Sequence, residues 1–325
     1  MTRIEQLWLE IRRDMAGEQL AGSSWTLIRV DPRHPFNIYA GVNGNGSAML
    51  AIGVSSRPLA IDADTGALGY VRIQRAGGDW VMGLRLEEPG LETVFGRLCQ
   101  DLVDTAAGVA TETALVALFR DRLLLWKRLF RDGGSGLLQK FQIKGLIAEM
   151  LALEEFISAN AADPLQPLAA WTGPKGTSQD FLFAGYAVEV KAVSPDAEAV
   201  GISSAKQLDA PVPLSLRVCV LREASPSEKG ALTLPLLVTR IEELLADSAG
   251  ATAAYRDRLL EAGYVEHDHY QNTAFTPMET RHYAVGDGFP RLVPATLPAG
   301  IPNVTYSILF SSITPFLNPP NSHAA

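Results

Sequence analysis

Asp180, Glu189 and Lys191 are the residues of this sequence whose types and spacing have the clearest chemical meaning. Two carboxylates and one ammonium group that converge can bind a divalent cation and stabilise negative charge on a reacting phosphate ester. Carboxylate oxygens suit Mg²⁺, which takes one or two of them and keeps water molecules for a phosphate substrate. The alternative is a solvated hairpin with a Glu–Lys surface pair, because such a pattern also arises by chance.

The residues between these groups predict a β-hairpin that brings the three side chains together. Aromatic and β-branched residues favour strands on both sides, and Ala184-Gly185 suits a two-residue turn because glycine tolerates a positive φ. A turn at this position places Asp180 opposite Glu189, and opposed carboxylates destabilise a sheet unless a cation lies between them. Side chains alternate along a strand, so Lys191 lies on the same side as Glu189, while Val190 points into a core.

A helix before the hairpin carries a third carboxylate. Apolar periodicity predicts a helix over residues 136 to about 158, with Ser135 as its N-cap. Glu149 lies four residues after Gly145 and therefore on the same helix face. A glycine inside a helix costs about 1 kcal/mol relative to alanine, and close approach of another backbone is one reason to accept that cost. We expect Gly145 to touch the hairpin and Glu149 to lie beside Asp180; the alternative for Glu149 is a solvated helix surface.

The elements around this stretch indicate two parts of the chain. A helix over 3–16, five strands over 25–30, 36–42, 47–54, 68–75 and 79–86, and a helix over 91–102 predict an antiparallel α+β unit in residues 1–107. Small residues then mark a boundary, followed by a second domain over 108–317 and a disordered tail over 318–325. The further elements predicted in the second domain are a helix that ends at Gly133-Gly134, strands over 168–171, 214–222, 281–285 and 304–310, a short capped helix over 203–208, and helices over 236–246 and 252–262.

Composition limits the classes of protein. The 325 residues are 47% hydrophobic and 20% charged, contain no apolar run approaching the ~18 residues of a membrane span, and begin without a signal-peptide pattern. Cys99 and Cys219 lie in apolar surroundings, which predicts buried free thiols and a reducing cytoplasm. The net charge of −8 argues against a protein that binds DNA alone over a large surface. Seven basic and two acidic residues between Arg120 and Lys144 could form a phosphate-facing patch or ordinary solvated helix surfaces.

The order helix, strand, hairpin, helix and strand, with Glu149 on the helix and Asp180…Glu189-Val190-Lys191 on the hairpin, resembles the PD-(D/E)XK phosphodiesterase superfamily. It looks most like the bacterial restriction-endonuclease-like members, whose Ser-Ser-x-x-Gln-Leu stretch matches residues 203–208. The motif resemblance covers about residues 137–222. It implies an α/β (α+β) protein with a restriction-endonuclease-like core, in which helices flank a mixed central sheet.

The resemblance also implies a role for each candidate residue. Asp180 and Glu189 would hold Mg²⁺, for which Mn²⁺ can substitute, with the Val190 carbonyl as a further ligand. Lys191 would orient or activate the attacking water and stabilise the developing charge. Glu149 would bind a second metal ion or a water molecule.

Two glutamines complete the comparison with that superfamily. Gln207, together with Ser204, would be an accessory group near the phosphate or Lys191. Gln179 replaces the proline of the motif name, a frequent variation that removes no ligand. The Gln-x-x-x-Tyr motif of the exonuclease-like members is absent, which argues against that branch.

Three functional hypotheses follow. The first is an Mg²⁺-dependent DNA endonuclease of a restriction or phage-defence system, a setting that rests on the resemblance alone. Double-strand cleavage needs two active sites, so the expected partners are DNA and either a second copy of the chain or a partner subunit. No membrane association is expected. The second is a catalytically reduced DNA-binding or scaffolding subunit, which the pI of about 5.2 favours. The third is a carbohydrate- or protein-binding module in residues 1–105; little Mg²⁺ affinity at Asp180 and Glu189 would distinguish the last two from the first.

Overall fold

The computed structural model describes residues 1–16, 22, 24–60, 66–75, 77–130, 136–301 and 303–318. The chain divides into two compact units, one formed by residues 1–137 with 265–267 and the other by residues 138–264 with the residues from 268 onward. The helix over 112–129 belongs to the first unit in this division. The domain boundary at residue 107 stays a prediction.

The first unit is built on a five-stranded antiparallel sheet. Its elements are α1 (Arg3–Asp14), β1 (Trp25–Arg29), β2 (Ile38–Asn43), β3 (Ala48–Val54), β4 (Leu68–Gln74), β5 (Trp80–Leu86), α2 (Glu92–Ala106) and α3 (Glu112–Leu129). The strand order is β1-β2-β3-β5-β4, and every neighbouring pair is antiparallel. The antiparallel α+β layout predicted for this part of the chain is confirmed.

Aromatic side chains join the helices of the first unit. The ring of Trp8 on α1 stacks on Phe95 of α2 at 5.5 Å, and Trp126 of α3 meets Phe95 edge-on at 6.4 Å. The indole N–H of Trp8 donates a hydrogen bond to the Met49 carbonyl of β3 at 3.0 Å, so its polar atom is satisfied although the ring is buried. These contacts make α3 part of this core.

The second unit is built on a mixed sheet. Its elements are α4 (Lys140–Ala159), α5 (Leu165–Ala170), β6 (Phe181–Leu182), β7 (Ala187–Val193), β8 (Ala199–Ile202), β9 (Leu214–Ala224), β10 (Leu232–Thr233), α6 (Leu234–Leu244), α7 (Ala249–Glu261), β11 (Ala274–Val285), β12 (Tyr306–Leu309), α8 (Phe310–Ile313) and β13 (Leu317–Asn318). The sheet order is β10-β11-β9-β7-β6, with β13 on β11, while β8 and β12 form a separate pair. The pairing of β7 with β9 is parallel and the other described pairings are antiparallel. The predicted mixed sheet flanked by helices is confirmed.

The hairpin and the strand beside it follow the sequence closely. Phe181 pairs with Val188, and Leu182 pairs with Ala187, which is the register that a turn at Ala184-Gly185 requires. Strand β9 lies between β7 and β11 in the sheet, and its residues 214–221 are buried on both faces, which agrees with apolar residues on each side. The counted hairpin register and the central position of β9 are therefore confirmed.

Two predicted elements in the second unit are wrong. Residues 168–171 were expected as a strand, but α5 ends at Ala170 and only Trp171 forms an isolated bridge, with Phe181. Residues 203–208 were expected as a short capped helix and instead form turns. Side chains satisfy the backbone there, since the Ser203 N–H donates to Gln207 Oε1 at 2.8 Å, and this competes with helix formation.

The ends of two elements also differ from expectation. Helix α4 begins after Gln139, whose capping box with Gln142 replaces the expected start near residue 136. Ser135 and Gly133-Gly134 lie outside the described residues, as do residues 319–325 of the tail predicted over 318–325. Asn318, expected in that tail, pairs with His282 in β13.

Two expectations from composition have structural counterparts. Cys99 and Cys219 are free and buried, as predicted. Across the described ranges, no helix combines the length and apolar character that crossing a membrane requires.

Candidate active site

Glu189 and Lys191 lie on the same face of β7. The Lys191 ammonium nitrogen is 2.5 Å from Glu189 Oε1, as strand alternation requires for residues two apart. Glu189 is completely buried, and the Lys191 side chain is 17% exposed. The Glu189 carboxylate is therefore removed from water, and one of its two oxygens accepts a hydrogen bond from the Lys191 ammonium group.

The hairpin holds Asp180 against the same strand. Asp180 Oδ2 accepts a hydrogen bond from the Val190 N–H at 2.7 Å, between the positions of the other two side chains. The Asp180 carbonyl accepts the N–H groups of Thr172 and Gly173 at 2.8 and 2.9 Å. The carboxylate and the backbone of Asp180 are therefore both fixed.

Helix α4 brings Glu149 to the same place. Glu149 Oε2 accepts a hydrogen bond from the indole N–H of Trp171 at 2.8 Å, and the buried Trp171 ring stacks on Phe181 at 6.4 Å. A Cβ atom at Gly173 would lie 2.8 Å from Asp180 Oδ1 and 2.9 Å from Glu149 Oε2. Two carboxylates thus face one point, which only a residue without a side chain leaves open.

Burial, and for the two glutamates also the charge of Asp180, raises the pKa values of the acidic groups. Burial, then the charge of Asp180, raises the pKa of Glu149 to about 8. Burial, then Asp180, raises the pKa of Glu189 well above its ordinary value, and burial raises that of Asp180 although Lys191 and the Val190 N–H oppose the rise. Burial lowers the pKa of Lys191, but Glu189 and Asp180 outweigh it and the net shift is upward. The ammonium form of Lys191 is therefore favoured. Its single positive charge does not bring the pKa values of the three carboxyl groups back to their ordinary range.

The residues present fit a divalent cation. Glu189 Oε2 is buried and has no hydrogen-bond partner, which is costly for a carboxylate and is relieved by a metal ligand bond. Within the described ranges, no three His, Cys, Asp or Glu side chains form a ready-made ligand cluster. Oxygen donors supplied by one or two carboxylates suit Mg²⁺, which keeps several of its water molecules.

Gly145 does not make the contact that the sequence suggested. A Cβ atom there would meet nothing within 4 Å, so the predicted approach of the hairpin backbone to Gly145 is wrong. The glycine that the site does require is Gly173. The sequence signal for it is weak, namely a Gly-Pro pair in the loop directly before the hairpin.

Gln207 lies in the turn over 203–208, where its Oε1 accepts the Ser203 N–H. Gln179 has the more evident positioning role, which the sequence did not reveal. It is buried, and its side-chain nitrogen donates to three carbonyls of the turn over 206–209, at 2.8 to 3.3 Å. The residue before Asp180 therefore fastens that turn beside the site.

The basic residues between 120 and 144 divide between the two units. Arg120 lies 3.6 Å from Asp121, and Arg122 lies 3.2 Å from a carboxylate oxygen of Asp101. In the second unit, Lys140 pairs with Glu223 at 2.6 Å. Arg131 and Asp132 lie outside the described residues. Carboxylates therefore neutralise these cations, which favours ordinary helix surfaces at these positions.

A family model described as "Putative PD-(D/E)XK family member (DUF4420)" matches residues 4–311. The chain belongs to this family. The match covers both compact units, so the PD-(D/E)XK assignment concerns nearly the whole chain and not the hairpin alone. The mixed α/β structure agrees with a restriction-endonuclease-like fold, and the family suggests a nuclease-like protein. No curated protein and no solved structure matches the chain significantly.

Proposed function

We propose that this protein is a metal-dependent nuclease that hydrolyses phosphodiester bonds in DNA. The observation that carries the proposal is the convergence of Asp180, Glu189 and Glu149 with Lys191, in a PD-(D/E)XK family member. Burial of carboxylates that repel one another destabilises a fold, and a bound divalent cation would compensate their charge.

Asp180 and Glu189 hold the divalent ion in this proposal, with the Val190 carbonyl as a further ligand. Mg²⁺ is the proposed ion, with Mn²⁺ as a substitute, and Glu149 binds a second ion or a water molecule. When bound, such an ion neutralises phosphate charge and lowers the pKa of a bound water.

Lys191 supplies the fixed positive charge. Its ammonium group is anchored on Glu189 Oε1 and stays protonated because Glu189 and Asp180 together raise its pKa. From this position it orients the attacking water and stabilises the charge that develops on the phosphate oxygens. Gln207 is a further accessory group in this proposal. Its Oε1 accepts the Ser203 N–H, which leaves its side-chain N–H groups as the donors for a phosphate.

The biological setting proposed is restriction or phage defence, with a second copy of the chain or a partner subunit for double-strand cleavage. A second candidate is a DNA-binding or scaffolding subunit with reduced catalysis. The observation that favours it is that the described side chains form no ready-made cluster of three metal ligands.

The test compares wild type with Asp180→Asn and Lys191→Ala on plasmid DNA, with Mg²⁺, Mn²⁺ or Ca²⁺ at low salt. Wild type should cut with Mg²⁺ or Mn²⁺, whereas Ca²⁺, which is larger and less strict in geometry, should support binding only. Lys191→Ala should keep metal affinity in calorimetry and lose rate by about 10²–10³-fold, because one preorganised charge is removed.

Asp180→Asn should lose both metal affinity and cleavage. Equal cleavage by all three proteins would identify a contaminating nuclease and remove support for this site. Absence of both cleavage and metal binding in wild type would leave the scaffolding candidate.

A further inference from the structure

Most cations of the second unit are engaged by carboxylates. Ion pairs of this kind join Lys140 to Glu223, Arg217 to Glu155, Arg222 to Glu228, Arg240 to Glu154, Arg256 to Glu242, Arg258 to Glu261 and Arg281 to Glu279. Lys175 and Lys206, like Lys229, are exposed and form no ion pair with a described carboxylate, and these first two lie on segments bonded to the hairpin. These two residues are called the lysine pair below.

Lys175 is held close to the carboxylates by its backbone. It ends the 3₁₀ turn Gly173–Lys175, and its N–H donates to the Thr172 carbonyl at 3.0 Å. The first residue of this turn, Gly173, donates its N–H to the Asp180 carbonyl and is the residue that Asp180 and Glu149 approach. The backbone of Lys175, an exposed lysine, therefore lies two residues along the chain from Gly173 at the site.

Lys206 is held on the same part of the hairpin by a different segment. Its carbonyl accepts the side-chain N–H of Gln179 at 2.8 Å, and Gln179 immediately precedes Asp180. The same turn is fixed again at Leu208, whose carbonyl accepts a hydrogen bond from Arg291. Two separate segments thus use hydrogen bonds to residues 179–180 to hold an unpaired lysine in place.

We infer that the lysine pair binds two backbone phosphates of a nucleic-acid strand, those that flank the phosphate held at Asp180 and Glu189. The inference rests on the proposed function and names the contacts by which an acidic protein would hold a polyanion. The net charge of −8 repels such a substrate, so a local source of positive charge is required. Lysines without a carboxylate partner can meet a phosphate without first breaking an ion pair, and each contact releases condensed counterions.

The experiment measures binding of a short DNA duplex, and of one of its strands, to the full chain with Ca²⁺ as the only divalent ion. The salt concentration is varied between about 50 and 200 mM for wild type, Lys175→Gln, Lys206→Gln and the double variant. The logarithmic salt slope of binding should become shallower by about 0.9 for each lysine removed with duplex, and by about 0.7 with single strand. Lys229→Gln is the matched control, because Lys229 is also exposed and without an ion pair but lies in the loop between β9 and β10.

The result separates this inference from the nuclease proposal. The inference about the lysine pair is refuted if wild type binds DNA and the double variant keeps the wild-type salt slope. It is also refuted if Lys229→Gln makes the salt slope shallower by the same amount. In both cases the nuclease proposal stands. If wild type binds neither duplex nor single strand and cuts no DNA, both are refuted. Unchanged melting temperatures of the variants, expected for exposed side chains, show that a loss of binding is not a loss of folding.

Discussion

Glu149→Gln should stabilise the metal-free protein at neutral and alkaline pH. The carboxyl group of Glu149 has a pKa of about 8 in the fold, against 4.5 ordinarily, because of burial and the nearby Asp180. Between these pH values the native protein retains a proton that the unfolded chain releases, so the free energy of unfolding falls as the pH rises. Glutamine loses no proton, and its carbonyl oxygen can still accept the hydrogen bond from Trp171.

The size of the effect follows from the shift. One pKa unit corresponds to about 1.4 kcal/mol, so the change from 4.5 to about 8 corresponds to at most about 5 kcal/mol. The Glu149 side chain keeps some exposure to solvent, and screening reduces the expected gain to about 1–3 kcal/mol above pH 8. The gain should shrink towards pH 4.5 and disappear below it, where the Glu149 carboxyl group is protonated in both the native and the unfolded protein.

Denaturant unfolding in a chelating buffer, at several pH values between 4.5 and 9, measures this difference directly. Glu155→Gln is a control on the same helix, since the Glu155 carboxylate binds the buried Arg217 through two contacts of 2.6 Å. That variant should be less stable than wild type across the range. If Glu149→Gln and wild type lose stability in parallel as the pH rises, the pKa of Glu149 is not raised in the fold.

Substitutions of Trp171, Gly173 and Gln179 test the groups that position the site. Trp171→Phe keeps the stacked ring but removes the donor that lowers the pKa of Glu149, so the pH range of falling stability should extend upward in the same unfolding series. Gly173→Ala should displace the two carboxylate oxygens and weaken Mg²⁺ binding in calorimetry, whereas Gly145→Ala, with open space around it, should bind normally and gain up to about 1 kcal/mol of helix stability. Gln179→Ala should cost about 1–3 kcal/mol, because the carbonyls of the 206–209 turn lose a donor, and Gln179→Glu should melt lower still because its carboxylate would face those carbonyls.

The hairpin could be derived from the sequence because its determinants are local. A two-residue turn fixes the register, and strand alternation then fixes the side on which Glu189 and Lys191 lie. The central position of β9 follows similarly, since apolar residues on both faces indicate a strand with cover on each side.

The supporting contacts could not be derived because they depend on residues far apart in the sequence. The indole of Trp171 meets a carboxylate on α4, and the amide of Gln179 meets a turn that begins almost thirty residues later, at residue 206. Spacing within an element does not encode such partners. The prediction for Gly145 failed for the same reason, because the cost of a Cβ atom depends on tertiary neighbours rather than on helix propensity.

The carboxylates and Lys191 come from residues 149–209 of the second unit, as do the side chains of Trp171 and Gln179 and the backbone of Gly173. In evolutionary terms, this segment can be inherited as a block. A recombination event with a breakpoint ahead of residue 138 would transfer the complete set of groups to a new amino-terminal neighbour.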